Sequence, residues 1–215
     1  KIRAEITTDD IDFNIQRLGL WLKYNQKSAI SKTEWESLAI ASKPKLKGEL
    51  FVGVKYGHDG QHVAMSVASK TNEGKIFVEA LDCRTIREGN DWILSYIAEM
   101  KPKTVVVDGA NGQHILEKDM KDAKMKAPTL PTVKEIIGAN ATFEQGLFKG
   151  NICHSNQASL TQSVSNSEKR AIGSNGGFGY RSLKEGVEIA LLDSVILAYW
   201  KCTETKERKK QIARY

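Results

Sequence analysis

A short run of β-branched residues that ends in an acid, TVVVD at 104–108, is the feature that most constrains how this chain folds. A continuous run of this kind is typical of a strand buried on both faces, as in parallel sheets covered by helices. The chain has 215 residues, enough for one sizeable α/β domain and a flanking segment. The run therefore predicts a central parallel strand whose last residue, Asp108, lies at the carboxyl end, where α/β sheets bind ligands.

Three more strands are predicted before this run. They are LFVGVKY (50–56), HVAMSVAS (62–69) and KIFVEALDC (75–83), joined through the turn-rich segments GHDG and NEG. Links this short join antiparallel neighbours, so the three strands are expected to form a meander. The remaining predicted elements are helices at about 90–100, 111–124, 132–148, 156–167 and 185–202, and a strand at 151–154.

The order of these elements indicates a fold class. Three antiparallel strands come first, and parallel strands then alternate with helices, which resembles the RNase H-like fold. We therefore expect an α/β domain whose mixed central sheet, an antiparallel meander followed by parallel strands, is flanked by helices. Residues 168–184, which contain GSNGGFGY, are predicted to form a loop or a hairpin.

The chain divides into three predicted segments. Residues 1–49 form a helical connector, because apolar residues recur at helical spacing over 8–24 and Trp35 anchors a polar, Lys-rich stretch to the main domain. Residues 50–205 form the α/β domain, and 206–215 form a basic tail that is either a solvated end or a binding surface. The chain starts without Met, which suggests a fragment or a processed form.

Composition argues against several classes of protein. No apolar run reaches the roughly 18 residues of a membrane span, and the charged start is unlike a signal peptide. Three scattered cysteines without a CxxC pair argue against a disulfide framework and favour a reducing cytoplasm. The sequence has no GxxxxGKS/T loop, so no ATP-driven motor is expected in this segment. The net charge of +6 favours a polyanionic partner.

Two acids are conspicuous in apolar surroundings. Asp108 ends the buried strand, where it either serves a ligand or caps the helix that starts near Asn111. Asp193 lies within the apolar stripe of the last helix, where a carboxylate needs a salt bridge, hydrogen bonds or a metal ion. Together the two carboxylates suit Mg²⁺ or Mn²⁺, which prefer oxygen ligands. Such ions activate water and stabilise the leaving 3′ oxygen in phosphodiester hydrolysis.

The first strand is expected to supply a third, central carboxylate to such a site. The residue at that position is Lys55, which does not bind a metal ion when protonated, and the nearest acid is Asp59 in the GHDG turn. Three explanations stay open. Asp59 reaches in as a ligand, the Lys55 ammonium replaces one metal ion, or the site is weakened.

Four segments resemble the C-terminal nuclease domain of phage large terminase subunits, which pair an N-terminal packaging ATPase with an RNase H-like nuclease. In the family's order they are FNIQRLGLWL (13–22), FVGVKYGHDGQHVAMSVAS (51–69), VVVDGANG (105–112) and GFGYRS with EIALLDSVILAYW (177–200). By this resemblance the family's acids map to Lys55, Asp108 and Asp193. Lys55 departs from the pattern, because the family usually has Asp there.

The resemblance implies a function. It implies a Mg²⁺- or Mn²⁺-dependent endonuclease that cuts concatemeric viral DNA during genome packaging, with low sequence specificity, in the host cytoplasm rather than in the mature virion. The implied catalytic residues are Asp108, Asp193 and Lys55, and the implied metal ligands are Asp108, Asp193 and Asp59. The implied partners are double-stranded DNA, the portal protein and the small terminase subunit. Residues 1–49 would end the linker from the ATPase.

Cations beside the glycine-rich segment are candidates for DNA binding. Lys169, Arg170 and Arg181 flank GSNGGFGY, and in a hairpin beside the site they would contact phosphates; a flexible turn is the alternative. The four histidines are expected to have surface or packing roles, and Glu188 is expected to be solvated. Two other functions stay open: a degenerate nuclease fold that binds DNA or docks on the portal, and another RNase H-like enzyme such as a resolvase.

Overall fold

The computed structural model describes residues 28–173, 176–184 and 186–205, so the predicted helix at 8–24 and the basic tail at 206–215 lie outside the described residues. In chain order the elements are α1 (Lys32–Glu36), β1 (Phe51–Tyr56), β2 (His62–Lys70), β3 (Ile76–Thr85), a 3₁₀ turn (Ile86–Glu88), α2 (Asp91–Met100), β4 (Thr104–Asp108), α3 (Gln113–Asp122), α4 (Val133–Phe148), β5 (Ile152–His154), α5 (Ala158–Ser165), β6 (Ser167–Ile172), β7 (Gly177–Ser182) and α6 (Ala190–Glu204).

The predicted mixed sheet is confirmed. Its five strands lie in the order β4-β1-β2-β3-β5. The strands β1, β2 and β3 form an antiparallel meander, whereas β4 runs parallel to β1 and β5 runs parallel to β3. The sheet therefore places the two parallel strands β1 and β4 side by side, with their carboxyl ends at the same edge.

Two predicted boundaries are resolved or corrected. Residues 168–184 contain a hairpin, because β6 pairs with β7 in antiparallel register. The last helix begins at Ala190 rather than at about 185. Gly186 has a φ of +78°, which is the left-handed conformation. A right-handed helix cannot continue through such a residue, so the helix starts only after it.

Helices cover both faces of the sheet with separate apolar cores. On one face, Val52 and Val54 of β1 pack against apolar residues of α2 and α3. On the other face, α4, α5 and α6 pack around Phe51 and its neighbours. All six residues of β1 are consequently buried, although only alternate ones point to each core.

The last helix lies directly on β1, and Gly53 is the residue that permits this. A Cβ atom at Gly53 would stand 2.0 Å from the carbonyl oxygen of Ser194 and 2.8 Å from the backbone nitrogen of Ala198. The contact is reinforced from β2, where the Ser66 hydroxyl lies 2.6 Å from that of Ser194. Because Ser194 is fixed against the sheet, the adjacent Asp193 is held near the end of β1.

Both edges of the five-stranded sheet are paired with non-strand segments. At the β5 edge, Ala39 forms a parallel bridge with His154, and the Ile40 amide donates to the His154 carbonyl at 2.9 Å. At the β4 edge, Thr129 exchanges two backbone hydrogen bonds with the strand, at 2.8 and 2.9 Å. Trp35, fully buried, stacks on the His154 ring with centroids 3.9 Å apart, which holds residues 28–40 against the domain.

In the part of the chain that the structure describes, no helix combines the length and apolarity that crossing a membrane requires.

Candidate active site

Asp108 forms an ion pair with Lys55 at the carboxyl ends of two adjacent strands. The two residues are register partners across the parallel β1–β4 pair, and the Lys55 ammonium donates a hydrogen bond to Oδ2 of Asp108. Their side chains are only 7% and 14% exposed. Asp108 does not cap the following helix, because the N-cap of α3 is Gly112 and no side chain caps it. The capping explanation is therefore wrong.

Asp193 lies in the first turn of α6 with a side chain 14% exposed. Within the described residues no Lys or Arg reaches its carboxylate, and the partner in contact is His58, whose Nε2 lies 4.0 Å from Oδ2. Burial raises the pKa of Asp193 to about 6, and the nearby Lys55 ammonium opposes the rise. The negative charges of Asp108 and Glu188 act in the same direction as burial.

The two acids share one small cavity. Its volume is about 30 Å³, enough for one or two water molecules or a small cation with its water. Lys55, Asp108 and Asp193 line it from the sheet and the last helix. The remaining wall comes from the GHDG turn, from α4 and α6, and from the hairpin, through His58, Ile136, Ala139, Asn140, Arg170, Ile172, Gly179, Tyr180, Ile196 and Leu197.

Arg170 and His58 line this cavity and contact each other. Arg170 donates from Nε to the carbonyl of Tyr180 at 3.2 Å, which holds the guanidinium on the hairpin, and its Nη2 lies 3.3 Å from Nε2 of His58. Burial and the adjacent charges of Lys55 and Arg170 lower the pKa of His58. Because a guanidinium can only donate, Nε2 of His58 is the acceptor in this contact.

Asp59 is not brought together with the other two acids. It accepts hydrogen bonds from the backbone amides of Gln61 at 2.8 Å and His62 at 3.1 Å, and it also pairs with the His62 ring. These contacts stabilise the GHDG turn. Asp59 instead lines a neighbouring cleft together with Glu188, so metal binding by Asp59 at the Asp108–Asp193 cavity requires the turn to rearrange.

The prediction that Glu188 is solvated is wrong. It is half-buried rather than solvated, and burial, reinforced by the charge of Asp59, raises its pKa. Its carboxylate lies against Gly57, where an added Cβ would be 3.0 Å from Oε2. The error follows from the predicted helix start: Glu188 precedes α6 instead of lying on it, so a helical spacing argument from Asp193 does not apply.

The three predicted DNA-binding cations differ in their environments. Arg170 faces the cavity, whereas Lys169 Nζ lies 2.5 Å from Oε1 of Glu144 and 4.5 Å from the centre of the Phe178 ring. Arg181 pairs with Glu168 across the hairpin at 2.6 Å. The hairpin therefore carries all three, but only Arg170 adjoins the two acids.

Two of the other histidines have structural surroundings. His154 is buried: its Nε2 donates to the Trp35 carbonyl at 2.8 Å, and its Nδ1 accepts from the Asn156 amide at 3.0 Å. His114 is exposed on α3, with Nδ1 3.4 Å from Glu117. Neither lines the cavity of Asp108 and Asp193.

Comparison with known structures identifies the fold. The chain superposes on the large terminase of bacteriophage HK97 with a TM-score of 0.64 over 80% of its length, at 15% identity. It superposes on the large terminase nuclease of thermophilic phage G20c with a TM-score of 0.59, at 14% identity. The chain has the fold of a phage large terminase nuclease domain. The RNase H-like architecture expected from the order of strands is thereby confirmed.

The extent of each match shows which part of a terminase this fold corresponds to. The match covers 43% of the HK97 large terminase but 97% of the G20c nuclease. The G20c nuclease has also been solved with bound magnesium, and that structure superposes with a TM-score of 0.52 over 81% of the chain, at 16% identity. No protein-family model matches the chain, and no curated protein is significantly similar to it in sequence.

The two carboxylates that line the cavity are donor groups of the kind that divalent cations prefer. Among the residues described, no group of three or more His, Cys, Asp and Glu side chains is arranged to hold a metal ion. Asp193 and the second oxygen of Asp108 accept no hydrogen bond from any described residue. Two carboxylates with water completing the shell are a usual ligand set for Mg²⁺. On β1, the strand next to Asp108, the side chain that reaches this cavity is Lys55.

Proposed function

We propose that this chain is a Mg²⁺- or Mn²⁺-dependent DNA endonuclease that cuts concatemeric viral DNA during genome packaging. One observation carries the proposal: Asp108 and Asp193 face one cavity at the carboxyl ends of β1 and β4, in a fold shared with several large terminase nucleases. Among the described residues no Lys or Arg reaches the mostly buried carboxylate of Asp193, so a cation would stabilise its charge.

Phosphodiester hydrolysis suits this arrangement. A water oxygen bonds to phosphorus and releases a proton, while the bond from phosphorus to the 3′ oxygen breaks and the 3′ oxygen takes up a proton. A divalent cation held by Asp108 and Asp193 would supply Lewis-acid activation when bound. The residues of the chain provide the rest: Arg170 presents N–H groups to phosphate oxygens, and Lys55 adds a fixed positive charge. Because these groups recognise phosphate and not base edges, we expect low sequence specificity.

The biological setting is proposed from the likeness to the whole HK97 terminase. In this setting residues 1–49 follow a packaging ATPase, residues 50–205 are the nuclease, and 206–215 are a basic tail. The protein would act in the host cytoplasm and not in the mature virion, on double-stranded DNA, with the portal protein and the small terminase subunit as partners. An ATPase sequence directly upstream of Lys1 would separate this proposal from a resolvase of similar fold.

Plasmid cleavage tests the enzymatic proposal. We expect cleavage with Mn²⁺, loss of cleavage with excess EDTA, and loss in Asp193→Asn and Asp108→Asn. Asp122→Asn is the matched control, because Asp122 is an exposed carboxylate at the end of α3. Equal cleavage by all variants, or cleavage that EDTA does not affect, would contradict the proposal.

The Lys55–Asp108 pair favours a second candidate, a degenerate nuclease fold that binds DNA or docks on the portal without cutting. This candidate predicts DNA binding that weakens steeply with salt and no metal-dependent cleavage. Cleavage by the unmodified chain with Mn²⁺ excludes it. Cleavage that arises only in Lys55→Asp identifies the native site as weakened.

A further inference from the structure

We propose that the Lys55 ammonium takes the place of one cation in this site, so that the chain binds a single divalent ion. This inference rests on the proposed nuclease function, and it concerns the number of divalent ions that bind between Asp108 and Asp193. Of the three explanations that the sequence leaves open for Lys55, it selects the one in which the ammonium replaces a metal ion.

The first argument is the position of the ammonium. Lys55 is on β1, between β4 and β2, and its Nζ reaches the carboxylate of Asp108 while lining the cavity. Its side chain is 7% exposed, so the ammonium has little access to solvent and depends on Asp108 for its charge partner. The Lys55 side chain therefore contacts one oxygen of Asp108 at the point where β1 and β4 end.

The second argument is the charge around the cavity. Among the side chains that line the cavity, Asp108 and Asp193 carry two negative charges, and Lys55 and Arg170 carry two positive ones. One divalent ion bound at the open oxygens leaves an excess of two positive charges, which a phosphodiester group and a hydroxide would offset. A second divalent ion would raise the excess to four beside a buried ammonium, and the mutual repulsion would oppose its binding.

The third argument is the supply of ligands and space. Oδ2 of Asp108 is engaged by Lys55, which leaves one oxygen of Asp108 and the carboxylate of Asp193 for metal binding. Asp59, the nearest further acid on the same strand's turn, is hydrogen-bonded to His62 and outside the cavity wall. The Lys55 side chain lines the cavity together with both carboxylates, so it occupies space that a second ion would need.

Counting bound Mn²⁺ tests the proposal without relying on activity. Free Mn²⁺ is measured by electron paramagnetic resonance during titration of the intact chain, and calorimetry measures the same stoichiometry independently. We expect one ion per chain for the unmodified protein, and at least about tenfold weaker binding in Asp193→Asn. We expect two ions per chain in Lys55→Asp, because a third carboxylate then replaces the ammonium.

Lys103→Asp is the control for the change in net charge. Lys103 pairs with Glu49 just before β4 and does not line the cavity, so this variant should bind one ion. Two ions, or none, on the unmodified chain would overturn the proposal, and this measurement does not require any variant to fold. A folded Lys55→Asp that still binds one ion would overturn it as well.

The nuclease assay separates the two proposals. Cleavage by a chain that binds two Mn²⁺ ions would leave the enzymatic function intact and remove the role of Lys55. One bound ion without cleavage would support the role of Lys55 and argue against the enzyme.

Discussion

The Lys55 ammonium donates a hydrogen bond to the Asp108 carboxylate, its register partner on the neighbouring parallel strand. Both side chains are nearly buried, so each charge is compensated chiefly by the other. The pair lies at the carboxyl ends of β1 and β4, in the cavity that Asp193 also lines. A change to either residue is therefore expected to affect both the stability of the domain and its proposed activity.

Removing the ammonium is expected to destabilise the chain. Lys55→Met leaves Asp108 as a buried carboxylate without a partner, which costs about 3–5 kcal/mol of unfolding free energy when no metal ion is present. Denaturant unfolding in EDTA measures this loss. Lys103→Met is the control, because its pair with Glu49 is more exposed and its loss should cost at most about 1 kcal/mol. Equal losses in the two variants would show that the Lys55–Asp108 pair contributes no more to stability than an exposed ion pair.

Asp193 is expected to make the metal-free chain less stable as pH rises. Its pKa is 3.8 ordinarily and about 6 in the fold, so between these values the folded chain keeps a proton that the unfolded chain loses. Its contribution is fully present below pH 4 and is lost as pH rises through 6, by roughly 3 kcal/mol in total. Unfolding measured from pH 4 to 7 in EDTA checks this.

Two variants isolate the Asp193 contribution. Asp193→Asn should lack this part of the pH dependence and be more stable than the unmodified chain at pH 7. Asp122→Asn, an exposed carboxylate, should retain the dependence of the unmodified chain. A pH profile that is the same in all three proteins would argue against a raised pKa for Asp193.

Gly53 is expected to tolerate no side chain. The Cβ of Gly53→Ala would stand 2.0 Å from the Ser194 carbonyl oxygen, so α6 must move away from β1 at a cost of about 1–3 kcal/mol or more. Gly138→Ala is the control, and it should have the opposite effect. Gly138 lies in α4, and no atom lies within 4 Å of the added Cβ, so alanine should stabilise the fold by about 0.5–1 kcal/mol. Thermal unfolding of the two variants distinguishes the effects.

Arg170 is expected to contribute more to DNA binding than its neighbours on the hairpin. Arg170→Gln should weaken binding of a DNA duplex and reduce the slope of log affinity against log salt by about one. Glutamates already partly neutralise Lys169 and Arg181, so Lys169→Gln and Arg181→Gln should have smaller effects. Binding is measured in the Asp193→Asn background to prevent cleavage, with Lys32→Gln as a control far along the chain. A uniform effect of all four would contradict this ranking.

Trp35 is expected to hold the residues before β1 against the domain. Trp35→Ala removes a fully buried ring that stacks on His154 and should cost about 3–5 kcal/mol. Leu46→Ala, at a side chain 45% exposed, should change stability by less than about 1 kcal/mol. Hydrogen exchange near β5 should rise only in the Trp35 variant. Unchanged exchange there would mean that Trp35 does not brace this edge.

Most of the fold was predictable because strand signals here are local. The β-branched run at 104–108 and the short links between the first three strands determine the order and direction of the sheet. The start of α6 was less predictable, since Gly186 breaks a segment whose composition otherwise favours a helix. For residues 168–184 the sequence predicted either a loop or a hairpin, because a glycine-rich composition does not specify strand pairing.

The proximity of Asp108 and Asp193 was predictable from the sequence, but the contacts that each of them makes were not. The sequence singled out Asp108 and Asp193 because each is an acid among apolar residues, and in the structure both line one cavity. The Lys55–Asp108 ion pair depends on parallel register, which single strands do not reveal. The positions of His58 and Glu188 depend on how a turn and a loop fold over the cavity, and spacing along the chain carries little information about that.

The single bridges at Ala39 and Thr129 have a consequence for solubility. Each occupies backbone groups on an outer strand of the five-stranded sheet, β5 and β4 respectively. Exposed outer strands are where sheets of different molecules join and aggregate. Because segments of its own chain bridge both outer strands, the described part of this domain has fewer free backbone groups through which copies could stack.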